Sequence, residues 1–129
     1  MRYSKQRELV LQKVEALCDH PTAEEIYEEA VKDCPTISLG TVYRNLNSLV
    51  DMGLVRRVSI PGRADRFDHT LRWHSHLYCT ACGCVVDADV DEKQVKKLIK
   101  KQASPITECD ITFTGICSTC YAKNSADKL

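Results

Sequence analysis

Two Cys-x-x-C pairs in the second half of the chain, Cys79/Cys82 and Cys117/Cys120, constrain what it can fold into more than any other feature. A two-residue gap puts both thiolates of a pair within reach of one tetrahedral ion, and two pairs supply the four ligands of a closed structural zinc site. No apolar signal region opens the sequence, so its eight cysteines point to a reducing compartment and metal ligation rather than a disulfide framework. A second, harder set of donors flanks the first pair: Asp68, His74 and His76 before it, Asp87 after it. The chain therefore carries two kinds of metal chemistry, one all-sulfur and one nitrogen/oxygen.

A length of 129 residues suits one domain or two small ones. Units of about 60 residues bury little core and often lean on a metal or on oligomerisation. Lys+Arg and Asp+Glu stand equal at 18 each, so no global field selects a partner. Local polarity survives that balance: Arg2, Lys5 and Arg7 form one basic cluster, Arg56, Arg57 and Arg63 another, while acids gather at Glu24, Glu25, Glu28 and Glu29. No stretch approaches the roughly 20 apolar residues of a membrane span, so the expectation is a cytoplasmic protein without a membrane partner.

Helical spacing of Leu9, Val10, Leu11, Val14, Leu17 and Cys18 predicts a first helix over 4–18, with Ser4 as N-cap. Asp19-His20-Pro21 breaks it. Thr22 and Glu25 form a capping box that opens a second helix, which Cys34-Pro35 ends. Ser38 caps a third helix running to Met52, with Leu39, Val42, Leu46, Leu49 and Val50 buried and Gly53 as its stop. A strand over 54–60, a Pro61-Gly62 turn and a returning strand over 66–68 complete a winged helix-turn-helix. Beyond it, strands over 77–79 and 84–88 flank the first cysteine knuckle, and a helix follows over 91–102 with Val95, Leu98 and Ile99 inward. A last strand through Ile111, Phe113 and Gly115 leads into the second cysteine pair, and the polar tail from Asn124 is expected to fray. The fold class is α+β: a winged-helix DNA-binding domain over 1–65, then a small α/β dimerisation and metal-binding domain over 66–129 with a four-cysteine zinc site.

In a helix-turn-helix the second helix of the motif enters the major groove. The third helix carries Thr41, Tyr43, Arg44 and Asn45 around its apolar stripe. Arg can fork onto guanine, Asn can pair with adenine, and an aromatic ring can touch a thymine methyl. Arg57 in the following hairpin can reach phosphate. Most polar helix faces are simply solvated, and it is the hairpin and its arginines that favour double-stranded DNA here.

The segments H-P-T-A-E-E-I-Y (20–27), G-T-V-Y-R-N-L (40–46), R-F-D (66–68), H-S-H-L-Y-C-T-A-C-G (74–83), V-V-D (85–87) and C-S-T-C (117–120) together resemble the ferric uptake regulator family, over nearly the whole chain. Within it the sequence is most similar to the peroxide-sensing branch. The resemblance implies a homodimeric, metal-sensing transcriptional repressor with a structural Zn²⁺. It also implies a regulatory Fe²⁺ or Mn²⁺ held by His20, Asp68, His74, His76 and Asp87. Read alone, His20 before a proline is an ordinary loop histidine and the two aspartates are ordinary strand-end acids. His74 and His76 share one face of a strand, which is a metal hint by itself. A set of three imidazoles and two carboxylates suits Fe²⁺ or Mn²⁺ better than a thiolate-rich site would.

By the same resemblance, peroxide reacting at bound Fe²⁺ oxidises His20 and His74 and the repressor leaves its operator, whereas the Mn²⁺ form resists. The alternative is an iron- or manganese-responsive repressor of the same family without peroxide sensing; Asp at position 87 favours the first reading. An enzyme is not expected, since the ligands leave no general base or substrate pocket beside them, and no small-molecule substrate is implied. A zinc-binding interaction module without a second ion is the third class. His69 reads as a neighbour of the regulatory site, Cys18 and Cys34 as structural residues, and Cys84 as a residue close to the knuckle.

Overall fold

A computed structural model describes residues 2–17, 20–71, 74–99, 105–106 and 109–127. The chain forms two compact units, Met1–Arg72 and Trp73–Leu129. The sequence put the boundary after residue 65. It falls later because the strand Arg66–Asp68 pairs with Arg56–Val58 and belongs to the first unit.

The first unit opens with α1 (Arg2–Ala16), α2 (Ala23–Asp33) and α3 (Leu39–Asp51). Helix α1 starts at Arg2, so Ser4 lies inside its first turn and not at the cap. The caps of the next two helices form as their sequences require. Thr22 Oγ1 accepts the Glu25 N–H at 3.2 Å, and Ser38 Oγ accepts the Thr41 N–H at 3.1 Å. Gly53, just past α3, has φ 73°, a left-handed conformation that a side chain resists.

Residues three and four apart face one way on a helix. Val10 and Val14, Ala23, Ile26 and Ala30, and Val42, Leu46 and Leu49 therefore meet in one core, closed by Ile37, Val55 and Phe67. Strands β1 (Arg56–Val58) and β2 (Arg66–Asp68) form the antiparallel wing, pairing Arg56 with Asp68 and Arg57 with Phe67. The first of these strands is shorter than its apolar run suggests. Cys18 lies outside the described residues.

The second unit is a three-stranded sheet in the order β4-β3-β5, with β3 at Ser75–Cys79, β4 at Val85–Ala88 and β5 at Thr112–Gly115. Strand β4 runs antiparallel to β3 and β5 parallel to it, with His76 opposite both Asp87 and Thr112. Helix α4 (Glu92–Leu98) ends before the expected position, because Ile99 takes an extended conformation with ψ 114°. Its expected continuation to Gln102 lies outside the described residues. None of its residues is buried, and Leu98 is 81% exposed, against the expectation that it packs inward. The expected frayed tail is instead helix α5 (Ser118–Asp127).

Among the described residues of this unit, the buried hydrophobic side chains are Cys79, Val85 and Cys117. Two of the three are metal-ligand candidates, so a cross-link through sulfur stands where a larger domain would have an apolar core.

Candidate metal centres

The knuckle between β3 and β4 is built by its backbone. The Gly83 N–H reaches the Cys79 carbonyl at 2.8 Å, and the Cys79 N–H reaches the Cys84 carbonyl at 2.9 Å. Gly83 has φ 78°, which lets the chain reverse inside this turn. From the other side, β5 delivers Cys117 to the start of α5, where its carbonyl accepts the Tyr121 N–H at 2.9 Å.

The thiols of Cys79, Cys82, Cys84 and Cys117 lie within 4.8 Å of one another. The Cys82 and Cys117 sulfurs are 3.9 Å apart. A tetrahedron with Zn–S bonds near 2.3 Å has sulfur–sulfur edges of about 3.8 Å. The donors thus fit zinc in type and spacing. Cys120, in the first turn of α5, is not in that group of four, but its thiol stands near enough to Cys117, Cys82 and Cys79 to be perturbed by them. Sequence reasoning left Cys84 outside the site. Its signal was the Cys82-Gly83-Cys84 spacing, in which the glycine turns the third cysteine back toward the first two.

The electrostatics of this cluster are divided. Backbone N–H groups of Cys117, Cys82 and Ala81 point at the Cys79 sulfur and lower its pKa to about 6. The Cys120 N–H, first among its contacts, lowers Cys117 in the same way. Cys84, whose thiol donates first to Cys82, is pushed up to about 12, and Cys120, donating first to Cys117, also to about 12. Cys79 and Cys117 are thus biased toward the thiolate, and Cys84 and Cys120 toward the thiol.

The nitrogen/oxygen donors form one set in each unit. In the first, the loop before α2 is stitched to the wing. Arg66 Nη1 donates to the His20 carbonyl at 3.2 Å, and the Phe67 N–H donates to the Pro21 carbonyl at 2.9 Å. This brings His20 Nε2 to 3.2 Å from Asp68 Oδ2, with both side chains under a tenth exposed. The other oxygen, Oδ1, accepts the Thr70 N–H at 2.9 Å. His20 has φ 55°, left-handed backbone that costs an L-residue roughly 1–2 kcal/mol. Such strain persists only where the surroundings enforce it, and it clusters at ligand sites.

In the second unit, His76 and Asp87 sit opposite each other on β3 and β4. His74 Nε2 lies 3.1 Å from Asp87 Oδ1 and His76 Nε2 lies 3.9 Å from it. The two imidazole rings are 4.4 Å apart, edge to face. The His74 and His76 side chains are 10% and 3% exposed, while Asp87 is open to solvent at 59%. His69, beside Asp68, is exposed.

On α3, Tyr43 and Arg44 are exposed, and Arg44 Nη2 donates to Thr41 Oγ1 at 2.9 Å. Arg57 on the wing donates to Asn47 Oδ1 of α3, so wing and helix present their polar groups together. Asn45 departs from the expectation. It lies three residues after Val42 and four before Leu49, on the buried stripe, and is 8% exposed. Its amide donates to the Thr41 carbonyl at 3.0 Å.

Residues 1–114 match the ferric uptake regulator family. The peroxide-responsive repressor PerR of Staphylococcus aureus is 32% identical, over 95% of this chain and 84% of its own length. Among solved structures, the Campylobacter jejuni peroxide stress regulator superposes with TM-score 0.72 at 29% identity, covering 92% of this chain and 91% of its own. The Vibrio cholerae ferric uptake regulator gives TM-score 0.71 at 32% identity, over 87% and 88% of the two chains.

Proposed function

This chain belongs to the ferric uptake regulator family, and from that premise we propose that it is a metal-dependent, DNA-binding repressor of peroxide-stress genes. It works as a homodimer on an operator, with Zn²⁺ held by Cys79, Cys82, Cys117 and Cys120. A regulatory Fe²⁺ or Mn²⁺ is held by His20, Asp68, His74, His76 and Asp87.

The observation that carries this reading is the preassembly of the harder donors. The first unit supplies two, already in contact at 3.2 Å, and the second supplies three. Neither number fills the coordination shell of Fe²⁺ or Mn²⁺, and five together leave one position of an octahedron open. An ion that takes both sets binds one arrangement of the two units better than others, and that differential affinity couples metal to DNA binding.

Each residue then has a task. The left-handed backbone at His20 holds its imidazole toward Asp68. Asp68 anchors through Thr70 and offers its second oxygen. His74 and His76 present nitrogen donors from one strand, and Asp87 meets them from the next. When bound, Fe²⁺ supplies the electrons that reduce peroxide, and His20 and His74 are the side chains exposed to the oxidising product. Thr41, Tyr43 and Arg44 face bases, and Arg57 holds phosphate.

The test is a gel shift on a DNA fragment selected from a random library by the Mn²⁺-loaded, zinc-replete protein. Binding with Fe²⁺ that micromolar peroxide abolishes, with one oxygen added to His20 or His74 by mass spectrometry, is the expected result. Peroxide-resistant binding with both metals would reduce the function to iron or manganese sensing, the second reading that the likeness to the Vibrio cholerae regulator supports.

A further inference from the structure

Five thiols converge where a tetrahedral zinc can take four. Cys79, Cys82, Cys84 and Cys117 lie within 4.8 Å of one another, and Cys120, the second cysteine of the C-x-x-C pair that begins with Cys117, sits at their edge in the first turn of α5. The surplus has a definite location. Cys79, Cys82 and Cys117 belong to both ways of choosing four. Cys84 reaches the three shared sulfurs from the hairpin side, and Cys120 stands on the first turn of α5, three residues after Cys117. Cys84 and Cys120 are both half-buried, so neither is shut off from reagents in water.

We propose that Cys84 is a zinc ligand in its own right, which takes the fourth corner of the site in exchange with Cys120. This rests on the reading of the cluster as a zinc site. Three sulfurs stay fixed while the fourth position alternates between the hairpin and the helix. At every moment one of the two exchanging thiols is off the metal. One Zn–S bond can then open and the waiting thiol close the three-sulfur state, so the ion changes its fourth ligand without the second unit losing its cross-link. The same exchange lets α5 detach from the ion while Cys84 keeps the coordination complete.

The test compares zinc content and Co²⁺ substitution in the full-length wild type, Cys84→Ser, Cys120→Ser, the double variant and Cys79→Ser. Expected are one zinc per chain in the wild type and in both single variants at the exchanging positions. Their Co²⁺ forms keep the thiolate-to-metal absorption of a four-sulfur site. The double variant and Cys79→Ser lose zinc to a chelator faster by about 10- to 100-fold or more. In the zinc-loaded wild type, a maleimide labels the Cys84 and Cys120 peptides in part, and this readout needs no variant to fold. Loss of zinc in Cys120→Ser with retention in Cys84→Ser, or label confined to Cys84, would overturn the exchange and leave the zinc site standing. Loss in Cys84→Ser alone would overturn it too, by making Cys84 a fixed ligand. A wild type without zinc would remove the zinc reading itself.

Discussion

Replacing His20 by alanine and by glycine separates the two things this residue does. Either substitution removes the imidazole at 3.2 Å from the buried Asp68 carboxylate, leaving Oδ1 on the Thr70 N–H. Loss of a partner by a buried polar group costs about 1–3 kcal/mol, so both variants are less stable than the wild type. They differ in backbone. Alanine must still adopt φ 55°, which costs an L-residue roughly 1–2 kcal/mol, whereas glycine adopts it freely. Glycine returns about 0.5–1 kcal/mol of this through the greater freedom of its unfolded chain. The net is about 0.5–1 kcal/mol in favour of His20→Gly.

The first unit spans 72 residues. For a domain of that size 1 kcal/mol corresponds to roughly 4–8 °C in Tm, so His20→Gly should melt about 2–8 °C above His20→Ala. The assay is thermal unfolding by circular dichroism of zinc-loaded protein without a second metal, alongside Mn²⁺-dependent DNA binding. Both variants should lose the Mn²⁺ response equally, since both lose the ligand. A His20→Ala variant as stable as His20→Gly would refute the backbone argument. Wild-type Mn²⁺ dependence in either would refute the ligand assignment.

Leu46→Ala, at a fully buried position of α3, should cost about 2–5 kcal/mol and abolish DNA binding while zinc content stays at one per chain, read by calorimetry and metal analysis. Zinc affinity should rise with pH. Cys79, at about 6, is already a thiolate at pH 7, whereas Cys84 and Cys120, at about 12, must give up a proton to fill the fourth corner. At least one proton is therefore released per zinc, and competition titrations between pH 7 and 9 should show affinity climbing at least about tenfold per unit. Arg57→Ala should lower the salt slope of DNA binding by about one with little change in sequence preference, whereas Arg44→Ala should cost about 1–3 kcal/mol and relax preference at one base position.

The sequence by itself determined the elements whose forces are local. Capping at Thr22 and Ser38, the left-handed stop at Gly53 and the wing turn at Pro61-Gly62 each follow from neighbours a few residues away and form as read, and of the apolar stripe of α3 Val42, Leu46 and Leu49 are buried while Leu39 and Val50 are partly so. The family and the two-part architecture were legible too, because spaced motifs along the whole chain agree. The tertiary structure decided what depends on long-range pairing. Pairing with β1 drew β2 into the first unit and moved the boundary beyond residue 65. Helical phase turned Asn45 inward while its neighbours Tyr43 and Arg44 stayed outside, a difference of one or two residues that composition does not register. Cys84 entered the sulfur cluster because its position is set by the turn at Gly83 and by a partner 33 residues away at Cys117, and spacing along the chain encodes neither distance nor direction in space.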